Sequence, residues 1–158
     1  LGTKHNEKFC RIYGIDKRSS LLESLHRFGY EPKDIDFVIN THLHFDHSGG
    51  NTFLNGTGKI VPTFPKAKYF VQKGEIDAAV NSNERTRASY LAEDFLPLDD
   101  FKLLSVVHEE TIEVDTGISL IKTGGHTRHH QCCRGDRRGS DSSRLRIPVR
   151  ECGFRRAR

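Results

Sequence analysis

"INTHLHFDHSGGN", residues 39–51, sets His42, His44, Asp46 and His47 inside six consecutive positions of a 158-residue chain. The apolar run "DFVIN" (36–40) suits a short buried strand and leads straight into them. "SGGN" (48–51) follows, where glycines allow a tight turn or a close backbone approach. In an extended chain leaving a strand, residues two apart point the same way. His42 and His44 can therefore offer two imidazoles to one ion, with Asp46 continuing along that side. His47, bending onto the next turn, can aim at a second ion beside Asp46. Imidazole nitrogen with carboxylate oxygen suits zinc, with manganese, iron or cobalt as substitutes. One histidine in a polar loop would read as a titrating surface group. H-x-H-x-D-H between a strand and Gly-Gly reads as a metal site.

Outward from that segment, "SSLLESLHRFGYEP" (19–32) reads as a helix. Ser19 or Ser20 caps it, Leu21, Leu22, Leu25 and Phe28 recur at helical spacing, and Gly29 stops it. "AKYFVQ" (67–72) reads as a strand and "KGEIDAAVN" (73–81) as a short helix. "NERTRASYLAEDFLPL" (83–98) is mixed, a helical turn with a long surface loop. "KLLSVV", "TIEV" and "ISLIKT" are strand-like, the last two joined as a hairpin at Asp115-Thr116-Gly117. Then comes "GGHTRHHQ" (124–131), and there the periodicity ends. No internal repeat is visible.

Composition is lean for a compact globule, with 35% hydrophobic residues and a mean hydropathy of −0.60. No run of 18 apolar residues exists, so a membrane span is not expected. The chain has no methionine and starts at Leu1, which reads as part of a longer protein. The +4 net charge is unevenly spread: residues 132–158 hold nine arginines, no lysine and three acids, while residues 1–131 carry −2. Residues 1–131 accordingly read as one partial domain and residues 132–158 as an Arg-rich tail. One reading of the tail is a basic arm for nucleic acid or an acidic partner. The other is a frame-scrambled, irregular stretch, favoured by the abrupt switch from lysine to arginine. Cys10 stands apart from Cys132, Cys133 and Cys152. This pattern gives no disulfide framework and makes a reducing, cytoplasmic setting the default.

"THLHFDHSGG" resembles the signature of the metallo-β-lactamase superfamily, and the resemblance extends through "VPTFPKAKYFVQKGE", "NERTRASYLAEDFLPL" and "GISLIKTGGHTRHHQ". Their order is similar to that of the lactonase-like hydrolases in this family. The resemblance covers roughly residues 1–131 and implies an α/β (α+β) fold: a partial αββα sandwich without its N-terminal strands and C-terminal half. It implies that His42, His44 and His126 hold a first zinc and that Asp46 and His47 begin a second site. The family's Gly-His-Thr turn matches Gly125-His126-Thr127. His129 stands where the family has glycine, and His130 matches a supporting position. Two further family ligands have no match, since Asp136 comes too soon after His126 and no histidine follows His130.

The activity implied is hydrolysis of a lactone, ester or amide in a small molecule by zinc-activated water, with Asp46 as the catalytic carboxylate. Two zinc ions would serve an intact relative, and about one is expected here. Impaired hydrolysis is the leading expectation for this chain. An inactive metal-binding fragment is the first alternative, and a nucleic-acid or acidic-partner binder is the second and less expected. Strands "DFVIN" and "ISLIKT" should lie in different sheets. His5, His26 and His108 read as surface histidines. Phe45 reads as packing beneath the loop, and Tyr90, Phe95 and Leu96 as core or pocket wall. Cys132 and Cys133 beside His129 and His130 offer only adventitious chelation.

Overall fold

A computed structural model describes residues 2, 4–16 and 20–123. In chain order, the helices are α1 (Glu7–Tyr13), α2 (Leu21–Arg27), α3 (Phe45–Ser48), α4 (Lys73–Val80) and α5 (Leu96–Asp100). The strands are β1 (Phe37–Ile39), β2 (Thr52–Leu54), β3 (Ile60–Pro62), β4 (Lys68–Gln72), β5 (Leu104–Val107), β6 (Thr111–Asp115) and β7 (Ile118–Ile121). Two 3₁₀ turns, Pro32–Asp34 and Ala92–Asp94, complete the set. The mixture of helix and strand is the one expected.

A parallel sheet ordered β1-β4-β5 organises the molecule, with Phe37 opposite Lys68 and Tyr69 opposite Leu104. Side chains alternate along a strand, so Tyr69 and Val71 share one face with Val38 and Leu104. The helices cover that face. Val71 packs with Ala78 and Ala79 of α4, and Tyr69 with Leu98 of α5 and Leu22 and Leu25 of α2. Leu43, immediately inside the histidine motif, is fully buried in the first of these clusters. Burial of a leucine side chain contributes about 1.5–3 kcal/mol, so the motif is rooted in the core through Leu43. The opposite sheet face carries Phe37 and Phe70, whose ring centroids are 6.0 Å apart, and the exposed Ile39.

The local signals for α2 operate as read. Ser20 accepts from the Glu23 amide, the Glu23 carboxylate accepts from the Ser20 amide, and Gly29 follows at φ 80°. The β6–β7 pair turns through Gly117 at φ 79°, a conformation that glycine takes without strain. Among the described residues β1 and β7 belong to different sheets, as expected.

Two elements are absent from the sequence reading. The antiparallel pair β2–β3 has strands of three residues, too short for a pattern, and its loop is organised by Asn55 accepting from Thr57 and Lys59. The other is α1, capped by Asn6 accepting from the Phe9 amide and ended by Gly14 in the left-handed region. It carries Phe9 and Tyr13, one turn apart, onto Phe45 at centroid distances of 5.1 and 4.7 Å. Phe45 thus packs beneath the motif, as expected.

Other expectations divide. His5 is a correction: it is 5% exposed rather than a surface residue. Its ring stacks on Phe9 at 4.5 Å, and its Nδ1 lies 3.4 Å from Glu93. His26 and His108 are exposed. Tyr90 and Phe95 are core residues, whereas Leu96 is half exposed and lies outside the core.

Tyr69 supplies a pH test of this core. Its hydroxyl donates to the Asn51 carbonyl and accepts from the Phe64 amide, and burial pushes its pKa up to about 12. The folded state then holds this proton over a range where the unfolded chain, with a pKa near 10, has released it. Its contribution is therefore complete below about pH 10 and is lost as pH rises toward about 12, amounting to about 3 kcal/mol. Urea midpoints should show this loss, and Tyr69→Phe, although less stable at neutral pH, should show a smaller decline across that interval.

Candidate metal centre

The chain leaves β1, passes Asn40, whose amide donates to the Phe70 carbonyl, and enters the motif. It does not stay extended. His44, with φ −64° and ψ 143°, is the N-cap of α3, so Asp46 and His47 ride on one helical turn. The amides of His47 and Ser48 both bond the His44 carbonyl at 2.9 Å, and Gly49 bonds the Phe45 carbonyl. The Ser48 hydroxyl reaches back to the carbonyls of Leu43 and His44, each at 3.1 Å. These bonds make the turn cheaper than extension and correct the expected local geometry.

The turn still brings the ligand types together. One donor atom from each of His42, His44 and Asp46 lies within 4.8 Å of the others. The Nε2 atoms of both histidines are shielded from solvent, while Asp46 is exposed at the mouth. The rings of His42 and His44 lie edge to face at 4.9 Å. The His42 and His47 rings are 4.1 Å apart, and His47 Nε2 is 3.3 Å from Asp46 Oδ2. The Thr41 hydroxyl sits 3.1 Å from His42 Nδ1 and can set that ring's tautomer. Two shielded imidazole nitrogens beside an exposed carboxylate fit a divalent metal ion. His126, with Asp136, His129, His130, Cys132 and Cys133, lies outside the described residues.

Support comes from residues that the pattern did not single out. Glu75, in the first turn of α4, is 7% exposed. Its Oε1 accepts from the Leu43 amide at 2.9 Å and from the Tyr90 hydroxyl at 3.1 Å. Tyr90 in turn meets the His44 ring edge to face at 4.7 Å. The motif is thus held from behind by one carboxylate. A signal for it exists in the sequence: Glu75, Ala78 and Ala79 stand at helical spacing on one face.

The description "Metallo-beta-lactamase superfamily" matches residues 14–139. The chain belongs to the metallo-β-lactamase superfamily. Within it, the chain is 38% identical over 118 residues to an N-acyl homoserine lactonase of a Bacillus species, covering 74% of this chain and 39% of that protein. It is 27% identical over 127 residues to N-acyl homoserine lactonase AttM of Agrobacterium fabrum, covering 77% and 44%. A "probable metal-dependent hydrolase" from Staphylococcus aureus superposes with a TM-score of 0.63 at 30% identity, over 75% of this chain and 42% of that one. An N-acyl homoserine lactone hydrolase with N-hexanoyl-L-homoserine bound at its catalytic metal center superposes at 0.50 with 35% identity, over 67% and 35%. The chain spans about two fifths of the length of the curated lactonases it matches. No helix among the described residues is long and apolar enough to cross a membrane.

Proposed function

We propose that this chain contributes the metal-binding half of a zinc-dependent hydrolase acting on a lactone, ester or amide in a small molecule. The observation that carries the reading is the grouping of His42, His44 and Asp46 donor atoms within 4.8 Å, inside the stretch that matches the family. N-acyl homoserine lactones are the first substrates to try, because the relatives above carry that activity in their names. His42 and His44 would hold the ion, with His126 as third imidazole from the matching Gly-His-Thr turn. Asp46 and His47 would begin a second site. Cys10, buried and free among the described residues, fits a reducing, cytoplasmic setting.

Zinc bound there would lower the pKa of water from about 15.7 toward about 7 and polarise a scissile carbonyl. The chain's own residues supply the remainder. Asp46, exposed at the mouth, accepts a proton at a carboxylate oxygen and returns it to the leaving oxygen. His47, 3.3 Å from Asp46 Oδ2, orients that carboxylate. Tyr90 and Glu75 keep His44 and the Leu43 amide in place behind the site.

The test is acid release from N-hexanoyl homoserine lactone by the purified, zinc-loaded chain. Turnover that stops on chelation and returns with zinc is the expected result. Turnover indifferent to chelation overturns the metal mechanism, and a zinc-loaded chain with no turnover establishes the inactive metal-binding alternative.

A further inference from the structure

Lys4 is 1% exposed at its side chain, and its partner Asp94 is 0% exposed. They meet at 2.6 Å, while the same ammonium donates to the carbonyls of Gly49 at 2.7 Å and Thr52 at 3.3 Å. All three ammonium donors are therefore used. Gly49 is the C-cap of α3, the turn that carries Asp46 and His47. Thr52 adds a second tie, its hydroxyl donating to the Glu93 carbonyl at 2.8 Å. The Gly2 backbone also lies against this carbonyl: a Cβ at Gly2 would meet the Gly49 oxygen at 2.0 Å. Three parts of the chain far apart in sequence, Gly2 with Lys4, residues 49–52 and residues 93–94, thus converge on the end of the metal-binding turn.

A buried ion pair is poor evidence for a role in stability alone. Desolvating two charges costs about as much as their attraction returns, and apolar replacements of similar size are often neutral. Burial raises the Asp94 pKa, and the neighbouring Lys4 charge draws it back down. What an apolar pair would lack is a donor for the Gly49 carbonyl.

We propose that Lys4, held by Asp94, is a positioning residue for the metal centre: its hydrogen bond to the Gly49 carbonyl fixes the pitch of α3 and so the placement of Asp46 and His47 against His42 and His44. The inference rests on the metal reading above. It assigns the pair a function beyond burial, since metal-site partners outside the ligand shell commonly set affinity through ligand orientation.

The experiment loads the full chain with cobalt and records its visible d–d spectrum and dissociation constant, with folding followed by circular dichroism. Lys4→Met combined with Asp94→Leu removes both charges together and keeps the site filled. Gly2→Ala crowds the same carbonyl, its Cβ meeting the Gly49 oxygen at 2.0 Å and the Lys4 ammonium at 3.1 Å, and removes no buried charge. Each should weaken cobalt binding about 10–100-fold and alter the d–d bands in folded protein. A folded double variant with the parental spectrum and affinity overturns the proposal. Where the double variant does not fold, unchanged cobalt binding by Gly2→Ala does so. Cobalt binding by the unaltered chain that His42→Ala leaves intact would overturn the metal reading itself, and the positioning role with it.

Discussion

His44→Ala should weaken zinc binding more than about 100-fold, because even partners outside the ligand shell are worth about 10–100-fold. His42→Ala should do the same. Purified with zinc, the unaltered chain is expected to hold about one tight equivalent: on the proposed ligand set, His42, His44 and His126 would offer three imidazoles, enough for a catalytic zinc with one open position. On the same proposal, Asp46 and His47 alone would make a weak second site. His26→Ala is the control, since His26 is exposed and pairs with Glu31 at 3.1 Å. Elemental analysis of gel-filtered protein reads all three variants. Two tight equivalents, or full zinc content in His44→Ala, would contradict the assigned ligands.

The second large effect concerns Glu75. Replacing it with alanine leaves the buried Leu43 amide and Tyr90 hydroxyl without their shared acceptor. Each such loss costs about 1–3 kcal/mol, so a loss of about 3–5 kcal/mol, including the space vacated, should appear as a large drop in urea midpoint. Glu75→Gln keeps a carbonyl oxygen at the same place and should recover most of that stability. If Glu75→Ala matches the parent in midpoint, the carboxylate does not hold the motif in the way described.

The grouping of His42, His44 and Asp46 was legible because these side chains are neighbours in sequence and are of metal-ligating types. α2 was legible for a similar reason: Ser20, Glu23 and Gly29 are local signals with local consequences. β1, β4 and β5 showed through their apolar runs, and β6 and β7 through Gly117. What the sequence hid is nonlocal. Nothing in "TKHNEKF" says that Lys4 reaches Gly49 and Asp94, or that His5 packs on Phe9 and Phe45. Hydrophobic periodicity reports which face is buried, not what lies across it, so Glu75 could be placed on a helix without its partners. The extended reading failed at residues 45 and 46 for a different reason: the Ser48 hydroxyl and the His44 carbonyl close a helical turn that alternation cannot anticipate.

The closeness of His42, His44 and Asp46 along the chain has a thermodynamic corollary. Ligands that are sequence neighbours remain neighbours when the protein unfolds, so the denatured chain retains a weak chelating segment. A metal stabilises a fold only by its preference for the native over the unfolded state, and binding to unfolded histidines subtracts from that preference. Zinc should therefore raise the melting temperature by less than its native-state affinity alone would give. The remainder of the preference comes from groups that only folding supplies, Glu75 and Tyr90 behind the motif among them.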